Sequence, residues 1–519
     1  MVEYERTAPE SASLKSASSA LNAARRTREL NELAHGDSVD VLVIGGGITG
    51  VGVALDAVTR GLSVALVDKH DVAFGTSRWS SKLAHGGLRY LASGNVGIAR
   101  ESAVERGILM TRTAPHLVRA MPQLVPLLPQ TSFFGKSLVR TGFLAGDVLR
   151  ASARTPSSVL PRSRTVSASR ARELVPSVRR ENLRGALTAY DGQLIDDARL
   201  VVNIARTAAL HGARILTRVG AYDVSGTSAT LRDELTGTEF LLRARTVINA
   251  TGVWADQVDS SITLRPSRGT HLVLDAKSLG NPTAALTVPI PGETNRFVFA
   301  LPAQLGRVYL GLTDEAAPGP VPDVPTASDS EIDFLLETVN TALEVPLTRS
   351  DILGTFAGLR PLLDTGDGST ADLSRNHAVV RSGSGLITVV GGKLTTYRRM
   401  AQDAVDCAVE VGGLNASACR TRNLPLVGAA TRAELNKIAA PASLVARYGT
   451  EAETVLATGD HGLDAVAGLD VCVAELAFAV SHEGALDVDD ILDRRTRIGL
   501  VASDRERALP AAETAIRAV

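Results

Sequence analysis

Val41-Leu42-Val43-Ile44-Gly45-Gly46-Gly47-Ile48-Thr49-Gly50 decides the fold. Four apolar residues in a row read as a parallel strand buried on both faces. Gly45, Gly47 and Gly50 then satisfy G-x-G-x-x-G. Gly45 permits the tight turn, Gly47 lets backbone approach a pyrophosphate, and Gly50 lets the following helix lie against the strand. That helix runs on through Val51, Val53, Ala54, Leu55 and Ala57, and its first amides face phosphate charge. Gly61 ends it. A second strand, residues 62–68, closes on Asp68, placed to accept a hydrogen bond from an adenosine ribose hydroxyl. An acid there disfavours a 2′-phosphate, and with it NADP.

The chain then departs from a plain dinucleotide domain. It passes through Phe74-Gly75-Thr76-Ser77 to Ser80-Ser81-Lys82-Leu83-Ala84-His85-Gly86-Gly87-Leu88-Arg89-Tyr90-Leu91. Strand-and-turn signals of the same kind come much later at residues 246–254 and again at 386–397, where Gly391-Gly392-Lys393 precedes a helix start. A nucleotide fold interrupted and resumed in this way suits a larger cofactor, one whose second half is held by a second set of loops.

The remaining pattern is structural. Asp196 or Asp197 caps a helix that ends at Gly212, and residues 214–219 follow as a strand. Asp191-Gly192 reads as a turn, and residues 231–242 as a hairpin. HLVL, RFVFAL and RVYLGL, between residues 267 and 312, predict an antiparallel sheet that roofs the cofactor. Ser328 and Glu331 form a capping box. Beyond about residue 420 glycine thins out and helices are expected.

Composition bounds the function. The 519 residues, 45% hydrophobic and 21% charged, predict two to four globular domains. A net charge of -1 argues against nucleic acid as partner. Cys407, Cys419 and Cys472 fit no metal or disulfide spacing, and no metal is expected. The Ser/Ala-rich first twenty residues lack a signal-peptide core. A disordered tail to about Ser18 followed by a short docking or surface helix is expected. No apolar run approaches the ~18–20 residues of a membrane span. The Arg-rich stretch 162–184 reads as a solvated basic face, or as a contact for anionic lipid head groups.

GGGITG, GTS with SSKLAHGGLRYL, NATGVWAD, AGLRPL and GGKLTTYR, in this order, resemble the FAD-dependent glycerol-3-phosphate dehydrogenases of the D-amino-acid-oxidase-like flavoprotein superfamily. The likeness runs from about residue 38 to the end. It implies an α/β protein with a Rossmann-type FAD-binding domain (38–119, 190–265 and 356–418) interleaved with a mixed or antiparallel sheet forming a substrate or cap domain (120–189 and 266–355). Residues 1–37 would be tail and short helix, and 419–519 an all-helical C-terminal domain.

The resemblance also implies a reaction: sn-glycerol 3-phosphate to dihydroxyacetone phosphate, with hydride passing from C2 to N5 of non-covalent FAD and electrons going on to a membrane quinone. It implies FAD contacts from Gly45, Gly47, Ile48, Thr49 and Gly50, from Asp68 and Lys69, and from Thr76 and Ser77. Ser81, Lys82, Leu83, His85, Gly86 and Gly87 form the flavin-facing loop, the glycine pair admitting backbone close to the ring. Val219, Ala250, Thr251, Gly252, Trp254, Gly392, Lys393, Leu394 and Thr395 complete the cofactor set. Arg89, Tyr90, Arg296, Arg360, Arg375 and Lys393 would bind substrate, since guanidinium forks suit a phosphate. His271, Arg360, Lys393 and Arg89 are the expected catalytic groups. His271 is the first candidate base because neutral imidazole titrates near working pH; Lys393 and His85 are alternatives. A homodimer is expected, located in the cytoplasm and peripheral on the inner face of the cell membrane. Oxygen as acceptor, an amine or amino-acid oxidase on the same scaffold, and a non-catalytic flavin sensor are the rival readings.

Overall fold

A computed structural model describes residues 19–87, 95–129, 133–293, 296–364, 377–459 and 462–518, with backbone only at 133–138. Two sheets organise it. The first runs, edge to edge, His377–Arg381, Ile387–Gly391, Glu239–Asn249, Val39–Ile44, Val64–Asp68, Arg214–Thr217. The inner pairs are parallel, as the uninterrupted apolar runs require. Val41, Leu42 and Val43 are fully buried. Helix Ile48–Thr59 packs between Asp197–Leu210 and Tyr397–Gly412. Gly52 makes the second contact close, because a Cβ there would come within 2.9 Å of the Tyr397 ring. Asp196 caps Asp197–Leu210, accepting from the Arg199 amide.

The second sheet runs Glu315–Ala316, Ser267–Asp275, Arg307–Gly311, Phe297–Pro302, Ala285–Pro289, Val118–Pro126, Ala186–Leu194, Leu83–Ala84. Ile352–Arg360 also pairs with Ser267–Asp275. Apart from the parallel pair Ala285–Pro289 with Val118–Pro126, its ladders are antiparallel. Ser328 and Glu331 close the expected capping box on helix Asp329–Asn340.

Several boundaries move. The edges expected at 120, 190 and 356 fall inside strands Val118–Pro126, Ala186–Leu194 and Ile352–Arg360, all of the second sheet, to which Leu83–Ala84 belongs as well. Asp191-Gly192 is no turn. Asp191 pairs with Met121 in mid-strand, and its carboxylate accepts from the Gly86 amide and the Arg106 guanidinium. The strand expected over 214–219 breaks at Arg218, whose φ is 57°, into Arg214–Thr217 and Val219–Tyr222.

Beyond residue 419 the elements are helical, the longest being Val473–His482 and Ala502–Arg517. This domain is joined to the first sheet by buried ion pairs. Asp71, in the loop after Val64–Asp68, is held by Arg494 and Arg495, each at 2.7 Å. Arg199 meets Glu483, and Arg206 meets Glu451 at 2.6 Å. Helix Ala23–Ala34 docks on the same seam: Leu21 bonds to the backbone of His482, and Arg26 pairs with Asp233 at 2.5 Å. No helix among the described residues is long and apolar enough to cross a membrane.

Candidate active site

A cleft of about 1010 Å³ opens between the two sheets. Its floor is the glycine turn. Gly45, Gly47, Ile48 and Thr49 line it, at the exposed amides of helix Ile48–Thr59. Gly45 has φ 109°, and a Cβ there would lie 2.6 Å from the Ala250 carbonyl oxygen. Gly50 stands behind the wall, where any side chain would overlap the Gly45 carbonyl. Its contribution is therefore to helix-strand approach.

Asp68 lines the far end with Lys69 and Val219. The amides of Gly46 and His70 donate to its two oxygens at 2.5 and 2.7 Å. Burial pushes the carboxyl up to about 6, against the pull of those two amides. Thr76, Ser77, Ala250, Thr251, Gly252 and Trp254 form the middle of the wall, and Gly75 is bare because the Trp254 ring lies against it. Ser77 Oγ accepts from the Ile48 amide at 2.8 Å, bracing the turn.

The loop at 80–87 is sorted by one carboxylate. Asp197 takes the Ser80 hydroxyl at 2.7 Å and the Lys82 ammonium at 2.8 Å. Lys82 thus points away from the cleft into the protein, where the Arg78 carbonyl also accepts from it and the Phe356 ring lies 4.7 Å off. Burial pulls this ammonium down to about 8. That placement corrects its expected part as a cofactor contact. Ser81, Leu83, His85 and Gly87 face the cleft. Gly86 does not. A Cβ there would overlap the Arg106 guanidinium, so its bareness admits an arginine from behind rather than a ring from in front.

Arg296, Arg360 and Lys393 line the same cleft. Arg360 is held by Asp314 and Ser267 at 3.1 Å and by the Thr313 carbonyl at 3.1 Å. Gly269 leaves the space its guanidinium occupies. Arg296 pairs with Glu293 at 2.9 Å, and Lys393 donates to Ser102 Oγ at 2.9 Å. Gly392, Leu394 and Thr395 adjoin Lys393 on the wall, at the turn that leads into helix Tyr397–Gly412. Arg89, Tyr90 and Arg375 lie outside the described residues. His271 sits in strand Ser267–Asp275 but off the wall, 1% exposed, its Nε2 2.9 Å from Ser81 Oγ. It is thus one residue removed from the face it was expected to line.

The sequence reading missed Asp191, Asp197 and Asp314, the carboxylates that hold this machinery. Trp79 lines the cleft, stacked under the Arg78 guanidinium at 4.2 Å, while its Cβ and backbone occupy the space a side chain at Gly358 would need.

Residues 40–398 match the family described as FAD dependent oxidoreductase, and residues 419–519 match the C-terminal domain of alpha-glycerophosphate oxidase. The chain belongs to the FAD-dependent oxidoreductase family. This FAD-dependent oxidoreductase is 66% identical over 506 residues to glycerol-3-phosphate dehydrogenase 1 of Mycobacterium tuberculosis, covering 96% of this chain and 98% of the relative. It superposes on the FAD complex of the Bacillus halodurans glycerol-3-phosphate dehydrogenase with a TM-score of 0.71 at 27% identity, over 95% of this chain and 94% of that one. An FAD-bound glycerophosphate oxidase from Mycoplasma pneumoniae, at 16% identity and TM-score 0.57 over 75% of this chain and 99% of that one, shares the fold.

The cleft of the FAD-dependent oxidoreductase fits its cofactor. The bare turn at Gly45 and Gly47 with the helix amides suits a pyrophosphate. Half-buried Asp68 at the far end presents carboxylate oxygens of the kind that suit ribose hydroxyls. The Ala250–Trp254 and Gly392–Thr395 turns line the rest of the cleft, where they would hold an isoalloxazine. None of Cys407, Cys419 and Cys472 lines the cleft.

Proposed function

We propose that this flavoprotein oxidises sn-glycerol 3-phosphate to dihydroxyacetone phosphate and passes the electrons to a membrane quinone. The observation that carries this reading is the 66% identity to a mycobacterial glycerol-3-phosphate dehydrogenase across nearly the whole of both chains. Arg296, Arg360 and Lys393 on the cleft wall support it. Bound FAD would supply the two-electron acceptor for the C2 hydrogen. Arg360, fixed in plane by Asp314, Ser267 and Thr313, offers a guanidinium edge to the phosphate. Arg296 and Lys393 add charge to the same cleft. By resemblance Arg89, Tyr90 and Arg375 complete the substrate shell. The C2 hydroxyl proton goes to a base, with His271 first among His271, Lys393 and His85.

Anaerobic titration with sn-glycerol 3-phosphate tests the reading. The yellow flavin absorbance is expected to bleach stoichiometrically, and a short-chain quinone to restore it. A flavin that stays yellow refutes the activity. Oxygen is the second acceptor to consider, favoured by the glycerophosphate-oxidase match over residues 419–519; stoichiometric peroxide in air would establish it. A homodimer peripheral on the inner face of the cell membrane is part of the proposal. Sedimentation and vesicle flotation check these two points.

A further inference from the structure

His271 is placed where it cannot meet a substrate unaided. It is outside the cleft wall, with its ring stacked on Phe356 at a centroid distance of 4.6 Å. The ring also fills the space over Gly311, where any side chain would overlap it. His271 and Gly311 are directly paired in the ladder that carries this contact. Its Nε2 has one hydrogen-bond partner among the described residues, Ser81 Oγ, and Ser81 is on the cleft wall. Lys82 turns away from the cleft to Asp197 and the Ser80 hydroxyl bonds the same carboxylate, while Ser81, on the wall, carries its hydroxyl to His271.

We propose that Ser81 is a catalytic residue, its hydroxyl relaying the substrate's hydroxyl proton to His271 Nε2. The inference rests on the dehydrogenase reading above. In the relay the C2 hydroxyl gives its proton to Ser81 Oγ as the Ser81 proton passes to Nε2. Serine ends with the protons it began with. The C2–H bond supplies the hydride that FAD accepts, and C2–O closes to a carbonyl, so the substrate loses two electrons and two hydrogens. Burial, then the Lys82 and Arg360 cations, hold the imidazole well below its ordinary pKa, so the resting ring is neutral and a proton it receives must be passed on rather than kept.

The test uses the holoenzyme and four variants: Ser81→Ala, Ser81→Thr, His271→Gln and the Ser81→Ala/His271→Gln double. Ser81→Ala and His271→Gln are each expected to slow anaerobic bleaching by glycerol 3-phosphate about 10²-fold or more, the scale of positioned proton transfer. Substrate KM and bound flavin should change little. The double variant should be no slower than either single one, and Ser81→Thr, which keeps the hydroxyl, should recover most of the rate. A readout independent of turnover is the ¹⁵N spectrum of His271 in the resting wild-type holoenzyme, expected to show Nε2 without a proton. Wild-type bleaching rates in Ser81→Ala, additive losses in the double variant, or a protonated Nε2 would each overturn the relay. A wild-type flavin that glycerol 3-phosphate never bleaches would instead overturn the reading on which it rests.

Discussion

If Asp68 holds the cofactor's ribose as proposed, it should couple cofactor binding to pH. The cofactor's ribose hydroxyls donate, so they favour the ionised carboxylate. Burial has moved its titration from the ordinary ~3.9 up to about 6. The ligand-free fold holds this proton more tightly than the unfolded chain, so Asp68 costs the apoprotein stability as pH rises from 4 through 6. Binding runs the other way. FAD affinity should be flat above pH 7 and weaken as pH falls through 6, by at most about tenfold per unit. Asp68→Asn should weaken FAD and remove that slope; flavin fluorescence released on dilution measures both. Arg360→Lys keeps a charge but loses the fork that Asp314 and Thr313 align. It should lower kcat/KM for glycerol 3-phosphate about 10- to 100-fold, since a hydrogen bond to a charged group is worth about 1.5–3 kcal/mol. Steady-state assay checks it, and a change under twofold would remove Arg360 from the phosphate.

At the scale of elements, what could be read in advance was what is local. The glycine turn, helix Ile48–Thr59 and the Ser328 box are each encoded within a dozen neighbouring residues, and each stands where the pattern put it. The orientation of Lys82 and the remoteness of His271 depend on Asp197 and Phe356, more than eighty residues distant in both cases. Asp191-Gly192 carried a genuine turn signal. The strand won because its carboxylate finds Arg106 and the Gly86 amide, and its backbone finds Met121. Gly50 is the position where local pattern and packing coincide most closely. Gly50→Val would force the helix off the strand at Gly45. An overpacked core site costs about 1–3 kcal/mol. Reduced chemical-denaturation midpoint together with loss of bound flavin is the expected result; unchanged flavin content would contradict the close approach.

For the whole molecule, the ion pairs between Asp71 and Arg494 and Arg495 bind the C-terminal helices to the cofactor domain. Burial alone would raise the Asp71 carboxyl, but the Arg495 and Arg494 charges outweigh it and hold it well below the usual carboxylate range. Its contribution is therefore complete above about pH 4 and is lost only as pH falls below that. Asp71→Asn leaves two guanidinium groups buried beside an uncharged amide. Breaking such a pair costs about 3–5 kcal/mol. Thermal unfolding should drop accordingly, with both domains melting together if the seam is intact and separating into two transitions in the variant. A single unshifted transition would show the seam to be dispensable.

The order of the first sheet also governs how the protein comes into being. Val39–Ile44, made early, lies between Glu239–Asn249 and Val64–Asp68, and the next strand outward is Ile387–Gly391. A nascent chain carrying the glycine turn must therefore wait, its apolar strand unpaired on one side, until the ribosome has delivered about two hundred more residues. Long-range pairing of this kind is slow and exposes the intermediate to aggregation. The cleft is complete only once the Gly392–Thr395 turn has been made, and expression yield should depend on chaperone supply and riboflavin during that interval.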